Sequence, residues 1–428
     1  MVNLAIIGLG ARGGEVYGSH IINHPGKARV VAIADPDPEK RATYAKAFSL
    51  DDTKVFISGE ALLDSKPDVH GIIIATPDRD HHRDAVRAIR SGYDLLLEKP
   101  IATNIEDVLE IRNEAILHKR NVMLCHVLRY APLFRTIKDI IVSGQLGTVV
   151  NIQQTEHIGY WHFAHSFVRG NWRNSDTSAP IILAKTSHDL DLILWYADAK
   201  PTRVSSYGGL NHFHGGNAPE GAPSHCVKGC PVQHECPFDA KRIYVSNFLQ
   251  REPDDKNVWP FTVLSHNPTE QSLEKALLGP YGRCVYKCDN NVMDHQLTNI
   301  AFANGIHANL TLSAFSGSTH RQVKIMGTKG ELEADDLTQA ITIKSFDTTF
   351  DVKAKTIDIR SMNATLHGHG GGDARMMDDF IHTLAHPVDD TPLTSIGRTA
   401  DSHILAFKAE QSRMHQGQSL MVEEEDQP

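Results

Sequence analysis

The stretch Leu4-Ala5-Ile6-Ile7-Gly8-Leu9-Gly10-Ala11-Arg12-Gly13, followed downstream by Val30-Val31-Ala32-Ile33-Ala34-Asp35, decides the fold. Leu4–Gly8 is a short continuous apolar run, the pattern of a strand buried on both faces. It leads into glycines spaced Gly-x-Gly-x-x-Gly and then into a helix. In such a turn Gly8 makes the tight bend, Gly10 lets backbone approach a pyrophosphate and Gly13 lets the helix pack on the strand. The phosphate would sit at the helix N-terminus, where Ala11 and Arg12 open the first turn. Asp35 closes the second apolar run about 20 residues past Gly13, where a carboxylate accepts bonds from ribose hydroxyls and repels a 2′-phosphate. Together these residues predict a dinucleotide site that prefers NAD to NADP, with Arg41 the nearest basic side chain.

Outward from this core, Val69–Ala75 and Tyr93–Leu97 read as two further buried strands, and residues 105–116 as a helix capped by Thr103 or Asn104. Strand–helix alternation of this kind implies an α/β class with a doubly wound parallel sheet over residues 1–125. Beyond residue 126 the period shortens to two. Asn304-Gly305, between Ile300–Ala303 and Ile306–Leu310, is a hairpin signal, so 126–428 is expected to be a second, α+β domain with a mainly antiparallel sheet. Two stretches interrupt it: 208–236, rich in Gly, His, Pro and Cys, within a Cys-rich loop spanning 208–290, and the polar 251–268. Residues 421–428 read as a disordered acidic tail.

A length of 428 residues favours two domains over one core. The formal net charge of −9, without a long basic run, argues against nucleic-acid and anionic-membrane partners. The long uncharged stretch Thr298–His320 is too polar to span a bilayer. A start without a basic leader makes a cytoplasmic protein the expectation. Six cysteines are too few for a disulfide scaffold, yet Cys226, Cys230, Cys236, Cys284 and Cys288 crowd into 226–288. Four thiolates from Cys226, Cys230, Cys236 and Cys284 could staple the loop around a structural zinc, the alternative being free buried cysteines.

At the ends of the third and fourth strands stand Ala75-Thr76-Pro77, followed by His81, and Leu97-Glu98-Lys99-Pro100. Ligands of open α/β sheets bind at such strand ends. A lysine there is a proton-transfer candidate, because burial and a nearby nicotinamide cation both lower its pKa. His81 could contact the cofactor or simply cap a helix.

This combination resembles the glucose–fructose oxidoreductase / inositol dehydrogenase / rhizopine catabolism oxidoreductase family. The Gly motif, Asp35, a shortened Thr76-Pro77-Asp78-Arg79-Asp80-His81 and above all Glu98-Lys99-Pro100 carry the resemblance, and Gly327-Thr328-Lys329-Gly330-Glu331-Leu332 extends it over nearly the whole chain. It implies a Rossmann domain followed by an open-faced sheet domain, with a sugar or cyclitol held between them and a dimer or tetramer as the assembly. Lys99 takes the place of the lysine at the reacting hydroxyl. His188 matches the histidine of the family's Asp-x-x-x-His, but Ala184 stands at the Asp position and Lys185 beside it, so Lys185 is the candidate for a changed base or an anion contact. Trp172-Arg173 matches the family's Trp-Arg near the cofactor. Polar and aromatic residues suited to a polyhydroxy substrate are His126, Arg129, Tyr160, His162, His165, Arg169 and His369.

The reading is an NAD-dependent sugar or cyclitol dehydrogenase. Two alternatives stay open: a glycoside hydrolase working by transient oxidation and elimination, and a non-catalytic NAD(H) sensor.

Overall fold

The computed structural model describes all residues except 348, 350–351, 363–366, 387–391 and 423–428. Strands β1 (Val2–Ile7), β2 (Ala28–Ala34), β3 (Val55–Phe56), β4 (Gly71–Ile74), β5 (Asp94–Leu97) and β6 (Val122–Leu124) form a parallel sheet in the order β3-β2-β1-β4-β5-β6. Ile6, Ile73 and Leu96 are wholly buried, as expected of strands covered on both faces by helices. Strand order reverses between β1 and β4, which opens a crevice above their carboxyl ends. The helix Ile105–Leu117 starts where expected, with the Asn104 side chain accepting from the Asp107 amide at 2.8 Å. The two strands not anticipated, β3 and β6, have two and three residues, too short to leave a periodic signature.

The second sheet takes β7 (Val149–Gly159), β8 (Pro201–Gly209), β9 (His295–Phe302), β10 (His307–Ser316), β11 (His320–Gly327), β12 (Gly330–Asp335), β13 (Ala340–Ser345), β14 (Lys353–Asp358) and β15 (Leu420–Met421). Their order is β14-β13-β12-β11-β7-β10-β9-β8-β15, antiparallel except for β7 with β10. The β9–β10 hairpin turns at Asn304-Gly305, where Gly305 has φ 84°. One face of the sheet buries Ile152, Ile300, Leu310 and Ile325 against Leu190, Ile193, Ile404 and Leu405 of the helices Ser187–Ala197 and Ile396–Met414. Val150, Tyr207 and Leu297 lie exposed on the sheet.

The chain between β8 and β9 is an insertion with a core of its own, including Tyr244, Phe248, Phe261, Leu273 and Leu277. Within 251–268, read as a polar loop, Phe261–Leu264 is helical and Phe261 is fully buried, because that short apolar run fills the insertion's core. The expected tail also begins later than residue 421. Leu420–Met421 pairs with β8 and Val422 is buried, while 423–428 lie outside the described residues. Among the described residues no helix is long and apolar enough to cross a membrane.

Candidate active site

Two glycines shape the mouth of the crevice. Gly8 has φ 93°, and a Cβ there would lie 2.4 Å from the Ala75 carbonyl oxygen, so the β1 and β4 ends can meet only through glycine. A Cβ on Gly10 would meet nothing within 4 Å, so the backbone here faces open space that a pyrophosphate can enter. Asp35 is nearly buried at the end of β2. Its carboxylate accepts from the Leu9 amide at 2.8 Å and the Asp37 amide at 2.8 Å, which ties the glycine loop to the second strand. The Thr76 hydroxyl is buried without a partner at the end of β4, a polar atom left for a ligand. These features fit a dinucleotide.

Arg12 does not point to a phosphate. Its Nε donates to Glu98 Oε1 at 2.6 Å and its Nη2 to Asp373 Oδ1 at 2.7 Å and to the Tyr17 hydroxyl at 2.6 Å; Tyr17 also donates to Glu98. Burial pushes the Glu98 carboxyl up, but the Arg12 charge and these hydrogen bonds outweigh it and hold the pKa below the usual range. His81 is likewise committed: its two ring nitrogens meet the carbonyls of Pro100 at 2.6 Å and Thr76 at 2.9 Å. It fastens the two strand-end loops together and presents no free nitrogen to a cofactor.

The half-buried Lys99 projects from the β5 end. Its Nζ donates to the Ala184 carbonyl at 2.7 Å, so the backbone of the residue standing where the family has Asp receives the lysine. Burial lowers the Lys99 pKa, opposed by the Glu98 and Asp78 carboxylates and reinforced by the Lys185 and Arg12 charges. His188 lies four residues beyond Ala184, in the first turn of the next helix, buried, with Nδ1 unpartnered. Its ring stands 5.6 Å from His126 and 6.0 Å from His369, centroid to centroid. Burial, then the Lys99 charge, pushes the His188 pKa well down, so the imidazole is neutral at pH 7. His369, in a left-handed turn with φ 44°, meets Asp373 at 2.9 Å and so joins the Arg12 network.

Lys185 is anchored on the opposite wall, 3.0 Å from Glu156 Oε1. Arg321 bridges Glu156 at 2.9 Å and Asp189 at 2.9 Å, and Gln154 donates to Asp189 at 2.6 Å. Burial raises the Glu156 pKa against the pull of Arg321 and Lys185. His162 completes this wall, within 3.0 Å of the Thr319 hydroxyl, and Tyr160 is partly exposed beside it.

The remaining candidates are placed elsewhere. Arg129 forms a bidentate pair with Asp191, both bonds 2.7 Å and both partners buried, so it is a core ion pair and not a substrate contact. His126 is fully buried behind His188, 5.4 Å from His403, and touches no open space. His165 donates to or accepts from the Tyr244 hydroxyl at 2.9 Å inside the insertion's aromatic core. Arg169 is buried under the insertion, bonded to the carbonyls of Arg283 and Phe238. Arg173 pairs with Asp289 of the insertion at 2.8 Å, and Trp172 beside it is part-exposed against Phe167, so neither is tied to the nucleotide loops. No three of the cysteine sulfurs come within 4.8 Å of one another, wider than a tetrahedral zinc site. Residues the sequence reading missed are Tyr17, Glu156, Arg321, Asp189 and His403. The first could have been suspected from its place one turn beyond the glycines, but Glu156 and Arg321 sit on separate strands with nothing local to join them.

Comparison with known proteins agrees with this geometry. Residues 2–126 match the family model described as an oxidoreductase family, NAD-binding Rossmann fold, and 138–395 match its C-terminal alpha/beta domain. The chain belongs to the Gfo/Idh/MocA oxidoreductase family. Its first domain is that family's NAD-binding domain. The oxidoreductase YteT of Bacillus subtilis (strain 168) is 23% identical over 396 residues, 89% of each chain. An inositol 2-dehydrogenase of Acidothermus cellulolyticus is 28% identical over 218 residues, 50% of this chain and 59% of that protein. A 2,7-anhydro-N-acetylneuraminate hydratase of Mediterraneibacter gnavus is 28% identical over 217 residues, 51% and 54%. Levoglucosan dehydrogenase, in a complex with NADH and levoglucosan, superposes with a TM-score of 0.70 at 15% identity, over 99% of this chain and 100% of that one.

Proposed function

We propose that this Gfo/Idh/MocA member is an NAD-dependent dehydrogenase of a sugar or cyclitol CH–OH group, working in the cytoplasm as a homo-oligomer. The observation that carries the reading is the placement of Lys99 and neutral His188 at one end of the crevice, where Lys99 is bonded to a backbone carbonyl and not locked by a carboxylate. The backbone of Gly8–Gly13, Asp35 and Thr76 would hold NAD, which supplies the hydride acceptor when bound.

Lys99 and His188 position the substrate hydroxyl, and one of them takes its proton as the C–H bond breaks. Burial lowers the Lys99 pKa, which makes its neutral form, the one able to accept that proton, easier to reach than in a free lysine. A neutral imidazole can accept it directly. Lys185, held 3.0 Å from Glu156, sits on this wall as a contact for a ring hydroxyl or an acidic substituent. His162, Tyr160 and His369 form the rest of the substrate surface, mixing flat rings with hydrogen-bonding tips.

The relationship to an inositol dehydrogenase supports a polyhydroxy substrate, and the relationship to a hydratase keeps a redox-neutral variant in view. One experiment separates them. Free sugars, cyclitols and aryl glycosides are incubated with stoichiometric or trace NAD⁺ in deuterated water. NADH formed one for one with product upholds the dehydrogenase. Aglycone released with trace NAD⁺, no NADH build-up and deuterium beside the anomeric carbon would replace it with transient oxidation. NAD binding without turnover across the panel would leave a sensor.

A further inference from the structure

Away from the crevice, one small cavity under the insertion collects four of the six cysteines. Cys226, Cys230 and Cys236 come from one irregular segment and Cys284 from another, nearly fifty residues on, and all four line the same space. The chain does this without forming a disulfide. Buried cysteines are common as small apolar residues, so their convergence alone would carry little.

The second observation is electrostatic. Arg169 lines the same cavity and its side chain is fully buried. Its Nε and Nη2 donate to carbonyls, Nη2 also lies 3.7 Å from Cys226 Sγ, and Nη1 is buried with no partner. Among the described residues it forms no ion pair. The one carboxylate lining the cavity, Asp239, accepts from the Arg242 amide through Oδ2, while its Oδ1 is buried without a partner, and neither oxygen is within ion-pair reach of the guanidinium. A guanidinium cannot shed its proton, and a buried charge without a counter-charge is strongly unfavourable. The site therefore calls for an anion, and four thiolates ligating a metal centre supply one.

The four sulfurs are not gathered as tightly as a single tetrahedral ion requires. Zinc–sulfur bonds of about 2.3 Å in a tetrahedron put the sulfurs roughly 3.8 Å apart, and all four would then be mutual neighbours. Here no three sulfurs fall within 4.8 Å of one another. A cluster with a metal ion at each corner holds its cysteines further apart than a single ion does, because each thiolate binds its own iron. We propose that Cys226, Cys230, Cys236 and Cys284 ligate an iron–sulfur cluster whose negative charge is balanced by Arg169. The cluster staples a segment with little regular structure. It also braces the helical turns Tyr160–Phe163 and Ala164–Arg169, which carry His162 toward the substrate wall.

The test uses the full-length protein, expressed with iron and cysteine supplied and purified anaerobically without chelator or His-tag. Iron, zinc and acid-labile sulfide are counted per chain, and the visible spectrum is recorded. The expected result is about four iron and four sulfide per chain, with broad visible absorbance bleached by dithionite. Cys230→Ser, at a half-exposed position, should lose most of the iron while still binding NAD, since the nucleotide loops lie in the other domain. Should that variant fail to fold, anaerobic reconstitution of the wild-type apoprotein with ferrous iron and sulfide gives the same reading through recovery of the absorbance and a rise in Tm. One zinc per chain without sulfide would overturn the proposal. So would metal-free protein, refractory to reconstitution, whose thiols all react with a chromogenic reagent. Neither count depends on turnover, so failure here and failure of the dehydrogenase reading are separable.

Discussion

Lys99 and Lys185 reach toward one crevice from opposite domains, close enough that the charge of Lys185 helps to lower the pKa of Lys99, yet their surroundings differ in kind. Lys99 is held by a neutral carbonyl, with carboxylates of Glu98 and Asp78 near but not bonded to its Nζ. Lys185 is held by a carboxylate, itself shared with a buried arginine. The first arrangement leaves a proton free to move; the second fixes a charge in place. The most direct way to break the comparison is to remove each amine. Lys99→Met is expected to lower kcat about 10²-fold or more with NAD affinity unchanged, the scale of a lost general acid–base group. Steady-state kinetics beside calorimetric NAD titration checks this, and normal turnover would move the chemistry away from Lys99.

The two sides also differ in how far they could be read from sequence. Lys99 was legible because it sits in a local motif at the end of a buried strand, and the dinucleotide loop because glycine spacing reports backbone geometry directly. The partners of Lys185 were not. Glu156 and Arg321 lie on β7 and β11, which become antiparallel neighbours, with these two residues directly opposite, only once the sheet is assembled. Asp189 and Asp191 follow His188 in the same helix, yet they turn to Arg321 and Arg129 on different elements. The same holds for His403, brought to His126 by the last long helix. Aromatic and basic residues in 157–173 looked like a substrate surface from composition, but the insertion covers His165 and Arg169, and only its fold shows which of them remain in reach.

The neutral histidines sharpen the contrast through pH. Burial lowers the pKa of His126, His188 and His403 well below the ordinary value. A depressed histidine pKa means the unfolded chain binds protons that the folded one refuses. The stability is therefore complete above the unfolded pKa of about 6.5 and is lost as pH falls below it, by up to about 1.4 kcal/mol per pH unit for each such histidine. Urea unfolding between pH 7.5 and 5.5 should show a steeper loss in the wild type than in His403→Gln. Carboxylates common to both proteins cancel in that difference. For catalysis the sign is the same: kcat/KM in the oxidative direction should rise with pH through an ionisation below that of free lysine, and Lys99→Met should flatten that limb.

Lys185→Met tests the other wall. Removing a fixed charge that orients substrate should raise KM about tenfold with a smaller change in kcat, the pattern of lost ground-state binding. A fall in kcat as deep as that of Lys99→Met, with KM unmoved, would make the two lysines equivalent and erase the distinction drawn from their partners.

The smallest expected effect lies at the far end of the nucleotide side. Asp35 holds the glycine loop through the Leu9 amide and is also the residue proposed to meet the ribose, so its charge and its scaffold role must be separated. Asp35→Asn keeps a side-chain oxygen able to accept one of those amide bonds and removes the charge that repels a 2′-phosphate. Arg41 is already close, its guanidinium 2.7 Å from the Asp35 carbonyl oxygen, and can turn toward a phosphate once the carboxylate no longer competes. NADP affinity should therefore rise several-fold, while NAD affinity falls modestly through the lost ribose contact. Paired calorimetric titrations of both cofactors read the ratio directly. If wild-type protein already binds NADP more tightly, or if the variant loses both cofactors together, Asp35 acts only as a tether for the loop and cofactor choice is set elsewhere in the crevice.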